Sequence, residues 1–301
     1  MHRKLKKTVN FFQSDIWHED KKQNYFKKYT YKVLRILILS VQGFINDNGF
    51  DKASTLTFYT LLTIVPLLAI GFGIAQFFGF ADTFAKQITN HFATQPEVAE
   101  KLIQFSNSTL KNTRGGWIAS LGIFILLWTV IKTIGNVESF FNEIWEVKNP
   151  RTLWQEIKRY TPIILLFPIF LAGSSKAILF LSTHTMAASK TLDIMYLNTV
   201  LIYLFSFVSY FVSWSFLSFL YIYLPNTKVL LKSGLIAGIA IGIFFYIWQR
   251  IYVAFQVNAA SYGAIYGGFA AVPLFLIWLN YSWLLVMFGA ELSKNIQKEL
   301  V

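Results

Sequence analysis

The sequence predicts an all-α integral membrane protein with six transmembrane helices, and three observations predict it. Hydrophobic residues make up 55% of the 301 positions and charged residues only 14%, where a soluble domain carries about 25% charged residues. The apolar residues are gathered into long runs without charge. Lys and Arg are unequally shared between the segments that connect those runs. With 30 Phe, 15 Tyr and 9 Trp and a mean hydropathy of +0.48, a water-soluble fold of this length lacks the interior to hide its apolar surface. Lipid is the solvent that suits it. The same composition excludes a disordered chain, which is poor in apolar residues. The absence of Cys excludes a disulfide framework, thiolate metal sites and a Cys nucleophile.

Residues 53–81, 115–131, 194–227, 233–249 and 251–290 contain no Asp, Glu, Lys or Arg, and the stretch from Thr161 to Asp193 is broken only by Lys176 and Lys190. A spanning helix needs roughly 20 mainly apolar residues. The spans therefore fall at about 54–79, 116–137, 160–182, 197–222, 233–250 and 269–290. The surplus at 251–268 holds Gly263, Gly267 and Gly268 and reads as a loop or a shallow segment before the sixth span.

Orientation follows from Lys and Arg. With the N-terminus inside, the cytoplasmic segments hold 20 of the 27 Lys and Arg. An even number of spans then puts the C-terminus inside as well, so both termini are expected in the cytoplasm. Residues 1–30 read as a basic cytoplasmic tail with Lys6, Lys7, Lys21, Lys22, Lys27 and Lys28 and no apolar period, and 31–300 as a single polytopic membrane domain. From Tyr31 onward, Leu34, Leu37, Ile38, Val41, Phe44 and Ile45 recur at helical spacing opposite Lys32, Arg35, Gln42 and Asn46. That pattern predicts an amphipathic helix lying in the cytoplasmic interface. In the first outer loop, Phe84, Ile88 and Phe92, then Val98, Leu102 and Phe105, are spaced as two short amphipathic helices around Pro96.

Within the spans, Gly234, Gly238 and Gly242 line one helix face, which allows close helix packing. Pro66, Pro168 and Pro273 fall inside predicted helices and should kink them. Glu138, Asn142 and Trp145 share a helix face at i, i+4 and i+7. Thr199, Ser206 and Ser213 form a hydroxyl stripe on span four, suited to interhelical hydrogen bonds or to a polar path. Glu291 closes span six. Intramembrane polar groups are costly and mark pathways, so Glu138, Asn142, Tyr262 and Glu291 are the candidate substrate-path residues. No catalytic residue, metal ligand or cofactor site is expected. His2, His18, His91 and His184 are scattered, and no Walker loop or GxSxG elbow occurs.

Several motifs together resemble a known family. They are Ala53-x2-Leu56-Thr57-Phe58-Tyr59-x2-Leu62-x3-Pro66-Leu67-Leu68, then Glu138-x2-Phe141-Asn142-x2-Trp145, then Tyr262-Gly263, Ala270-Ala271-Val272-Pro273, Trp278-Leu279, Ser282-Trp283 and Gly289-Ala290-Glu291. Over roughly residues 35–295 the chain resembles the YihY / virulence factor BrkB family of bacterial inner-membrane proteins. The resemblance implies six spans in the inner membrane and suspected transport of lipids or other envelope material. Such proteins were once labelled ribonuclease BN, a label since regarded as mistaken.

The expected function is therefore a transporter or a handler of lipid or envelope material, with no enzymatic activity. A non-transporting scaffold for envelope assembly is the alternative, and a ribonuclease the remotest. The net charge of +12 does not require nucleic acid as a partner, because residues 1–53 alone carry +6 on the face that meets anionic lipid. The expected partners are membrane lipids, with envelope proteins or a second copy of the chain as further candidates.

Overall fold

The computed structural model describes residues 25–91, 99–101, 103–104, 116–162, 164–165, 210–211, 213–261 and 271–301. Among these residues the regular elements are all helices: α1 Tyr25–Asn46, α2 Gly49–Phe77, α3 Ala81–His91, α4 Gly116–Ile144, α5 at 153–162, α6 at 213–223, α7 Leu231–Ser261 and α8 Ala271–Leu300. Four stretches are long and apolar enough to cross a membrane: Gly49–Phe77, Phe124–Ile144, Leu231–Phe255 and Pro273–Leu300. They correspond to predicted spans one, two, five and six. Most of predicted spans three and four lies outside the described residues, as do the tail at 1–24, Pro168, Thr199, Ser206 and Tyr262.

Three of the four long helices run past their expected C-terminal ends, α4 to Ile144 where 137 was expected, while α2 stops at Phe77, just short of 79. α7 continues to Ser261, ten residues and more past the expected end near 250. The segment after Arg250 reads Ile-Tyr-Val-Ala-Phe-Gln-Val-Asn-Ala-Ala, without Gly or Pro, so nothing in it stops a helix. The loop expected from 251 is therefore helical as far as Ser261. α8 likewise runs on to Leu300. Its last ten residues carry Lys294 and Lys298 on one side and bury Leu292, Asn295 and Ile296 on the other. Pro66 sits inside a continuous α2, and Pro273 is the third residue of α8.

α8 is the hub of the packing, with α7, α2, α1 and α4 against it, while α2 also packs on α4 and α3. The main core gathers Leu56 of α2, Phe141 and Ile144 of α4, Tyr221 of α6, Ile241 of α7 and Met287 of α8. A second cluster joins Ile70 to Val130, Ile131, Tyr160 and Ile164. α3 folds back on α2 through Phe84, whose ring meets Phe72 edge-on at 5.1 Å. The α7 glycines face α6 in antiparallel register. Gly234 meets Ile222, Gly238 meets Ser218 and Gly242 meets Trp214.

Candidate functional site

The end of α4 sets the first polar site. Glu146 takes up a left-handed backbone conformation at φ 54°, and the Val147 amide donates back to the Asn142 carbonyl at 2.9 Å. This is the cap that turns a chain sharply at a helix C-terminus. The turn brings Arg151 against α4. Its Nη1 donates to Glu138 Oε1 at 2.5 Å and to the Leu224 carbonyl at 3.0 Å, and its Nη2 donates to the Pro225 carbonyl at 3.4 Å. The Tyr160 hydroxyl donates to the other Glu138 oxygen. Asn142 Nδ2 donates to Glu138 Oε1 at 3.3 Å, and Asn142 Oδ1 accepts the Asn226 amide at 2.7 Å.

Glu138 is 2% exposed and the Arg151 side chain 9%, so both charges are taken from water together and matched to each other. Arg159 completes the arrangement, lying 3.7 Å from the Tyr223 ring centroid and donating to the Tyr223 carbonyl at 2.7 Å. Two arginines thus cap the C-terminal end of α6. The network joins α4, α5 and the turn after α6. Glu156 packs over Gly135 of α4, where an added Cβ would stand 2.8 Å from Oε2. Burial, and secondarily the Glu138 charge, pushes the Glu156 carboxyl above its ordinary pKa.

Around this network, Lys52 of α2 pairs with Glu143 at 2.8 Å, and Lys294 of α8 pairs with Glu146 at 2.9 Å. The Lys294 hydrogen bond and charge, with Lys298 behind them, hold the Glu146 carboxyl below its ordinary pKa. Arg35 of α1 pairs with Glu299 at 3.2 Å. An open cleft of about 420 Å³ lies between the α4 turn and the end of α8, lined by Trp145, Glu146, Lys294, Gln297, Lys298 and Val301. Glu291 stands apart from the Glu138 network. It is 1% exposed, its Oε1 has no hydrogen-bond partner among the described residues, and Gly43 of α1 passes so close that a Cβ there would be 2.5 Å from Oε2.

A second polar site runs along α2. Ser54, Thr57, Thr60 and Thr63 recur every three residues. The three threonine hydroxyls donate to carbonyls one turn back, Ala53, Leu56 and Tyr59, at 2.7–2.8 Å. That leaves their oxygens free to accept from α8. Asn280 Nδ2 donates to Ser54 at 3.3 Å and Thr57 at 3.4 Å, and Trp283 Nε1 donates to Thr60 at 2.9 Å. Thr63 meets Thr133 of α4 hydroxyl to hydroxyl. Polar side chains therefore wind along α2 for about two and a half turns, facing α8 at Ser54, Thr57 and Thr60 and α4 at Thr63.

Of the four expected path residues, the structure brings Glu138 and Asn142 together in one bonded network and places Glu291 elsewhere on α8. The α2 seam was not anticipated, although the three-residue spacing of its hydroxyls was visible in the sequence. Arg151 and Tyr160 carried no signal, because 13 and 22 residues of chain separate them from Glu138.

The profile of the family described as Virulence factor BrkB matches residues 40–301. The chain belongs to the BrkB family. Relatives include a UPF0761 membrane protein of Psychrobacter, 30% identical in an alignment that covers 92% of this chain and 50% of that one. One from Nitrosospira multiformis is 32% identical over 84% of this chain and 58% of its own length. A third, from Legionella pneumophila, is 29% identical over 87% and 62% respectively. The chain thus spans about half to three-fifths of the length of these BrkB-family relatives. No solved structure matches it. The stretches Ala53–Leu68 and Trp278–Trp283, quoted above for this family, span the α2 and α8 residues of the seam, of which Thr57 and Trp283 stand at quoted motif positions.

Proposed function

We propose that this BrkB-family chain is a non-enzymatic transporter or handler of lipid or other envelope material, crossing the bacterial inner membrane six times with both termini in the cytoplasm. The observation that carries the proposal is the α2 seam. Seven polar side chains (Ser54, Thr57, Thr60, Thr63, Thr133, Asn280 and Trp283) are spent along one interhelical track within membrane-spanning helices. Polar groups at this depth are expensive and gather where polar matter passes. Glu291 lies on the same helix as Asn280 and Trp283, two to three turns further toward the basic end. The placement of α1 in the cytoplasmic interface belongs to the same proposal, supported by its exposed apolar stripe of Val33, Leu37, Val41 and Ile45. The scaffold reading draws on one observation, that Glu138 and Asn142 are both engaged in internal bonds.

The test is passage of lipid across a bilayer. The full chain is reconstituted into vesicles containing fluorescent phosphatidylglycerol, and the fraction reached by an impermeant quencher is followed. The transport reading expects accelerated quenching that Thr57→Val with Asn280→Leu suppresses. Quenching no faster than in empty vesicles, with the same double variant fully rescuing a deletion strain, overturns the reading in favour of a scaffold.

A further inference from the structure

Arg250 is the only Asp, Glu, Lys or Arg between Ser233 and Ala290, a stretch of 58 residues. It lies 19 residues beyond Leu231, the start of α7, or about 28 Å along the helix axis. That is close to the full thickness of a hydrocarbon core of about 30 Å. α7 starts at the basic end, where Gln297 accepts the Leu230 amide at 2.7 Å. Arg250 therefore stands at the far interface. The aromatic residues at its level agree. Trp278 donates to Gln249 at 2.8 Å, and Tyr246 stands one turn from Arg250 and bonds to it. Trp and Tyr gather at the headgroup level.

The guanidinium is on an exposed face. Nε donates to the Tyr246 hydroxyl at 2.9 Å, and the guanidinium carbon lies 5.1 Å from the Tyr246 ring centroid. The Tyr210 ring meets Tyr246 edge-on at 4.8 Å. These contacts, with a side-chain hydrogen bond to Tyr210, hold the guanidinium in place. Among the described residues, no carboxylate forms an ion pair with Arg250. Ile243 and Ile247 are exposed on the same helix face, at i−7 and i−3. Ile247 and Ile243 lead from Arg250 toward the middle of the helix.

We propose that Arg250, oriented by Tyr246 and Tyr210, binds the phosphodiester of an anionic membrane lipid at the far interface, with one acyl chain lying along Ile247 and Ile243. The guanidinium fork matches a phosphate bidentately, which an ammonium does not. The order along α7 is the order within a lipid of the far leaflet, headgroup first and chain toward the midplane. A free phosphate would use the fork but gain nothing from the isoleucine face.

Native mass spectrometry of the full chain in detergent tests this, with phosphatidylglycerol, phosphatidylcholine and inorganic phosphate added separately. Phosphatidylglycerol adducts are expected to exceed the other two, and Arg250→Gln to lower their occupancy about five-fold. Lys232→Gln, an exposed lysine at the opposite end, should leave them unchanged. Arg250→Lys should fall between wild type and Arg250→Gln, since it keeps the charge and loses the fork. Equal phosphatidylglycerol occupancy in wild type and Arg250→Gln overturns the proposal. So does phosphatidylcholine binding as well as phosphatidylglycerol, or inorganic phosphate displacing the lipid at equal concentration. Should Arg250→Gln aggregate, Arg250→Lys and Tyr246→Phe decide alone, and unchanged occupancy in both overturns the site.

Discussion

Removing Arg151 should destabilise this protein more than removing any other surface-adjacent cation. Arg151→Met leaves Glu138 as a charge 2% exposed with, among the described residues, only the Tyr160 hydroxyl and the Asn142 amide to solvate it. It also uncaps the Leu224 and Pro225 carbonyls. Breaking a buried pair from one side costs about 3–5 kcal/mol. At about 2–4 °C per kcal/mol for a chain of this size, melting should fall by on the order of 10 °C. The assay is thermal unfolding in mild detergent followed by fluorescence-detected size exclusion. The decisive comparison adds Glu138→Gln in the same chain. With neither charge left buried, the double variant should melt higher than Arg151→Met alone, and the two single losses should not sum. Lys294→Gln serves as control, because its partner Glu146 is 73% exposed and such pairs contribute under about 1 kcal/mol. A melting point for Arg151→Met within about 2 °C of wild type, or strictly additive losses, refutes the assignment of this network as the lock between α4, α5 and α6.

The α6–α7 glycines should respond unequally to alanine. At Gly238 a Cβ would lie 2.6 and 2.7 Å from the Ser218 backbone N and Cα, whereas at Gly234 it meets only the Ile222 side chain. Gly238→Ala should therefore cost the larger share of stability, because a side chain can rotate away and a backbone cannot; equal melting points for the two variants would contradict the close crossing. Glu156→Gln should stabilise the protein at neutral pH. The folded-state pKa of Glu156 is raised, so the neutral form is favoured, and its contribution is lost as pH rises through that raised value. Glutamine keeps the neutral form at every pH. The gain over wild type should shrink as pH falls through the ordinary carboxylate range, and a gain independent of pH would exclude the titration of Glu156 as its source.

The bundle was legible in the sequence wherever one physical rule governed it. Uncharged runs located α2, α4, α7 and α8, since lipid excludes charge from any window of spanning length. Helix ends were less legible, because a membrane boundary and a helix boundary are different things. α7 passes Arg250 without interruption and α8 passes Glu291 for another nine residues, as helices do when no Gly, Pro or cap stops them. The shared face of Glu138 and Asn142 was legible from spacing. Their partners were not, because Arg151 and Asn226 arrive through a left-handed turn at Glu146 and the end of a different helix. No local pattern encodes such a meeting.

In lipid, apolar surface gains little by leaving the solvent for another helix, so association rests on close packing and on polar bonds. Four of the described helix contacts carry such a device. α1 is held to α8 by Arg35–Glu299 and by Asn295, which donates to the buried Ser40 at 3.3 Å. α6 meets α7 through three glycines, α2 meets α8 through the threonine seam, and α4 is tied to the α6 turn through Arg151. All five ion pairs among the described residues link segments at the basic end or its adjoining turns. The Arg250 face departs from this pattern, since it presents a charged group, two tyrosines and two isoleucines with no carboxylate opposite among the described residues. A charged group on the lipid-facing surface of a helix can hold another helix or hold a lipid. The order of charge and isoleucines along α7, running from the interface inward, fits the second.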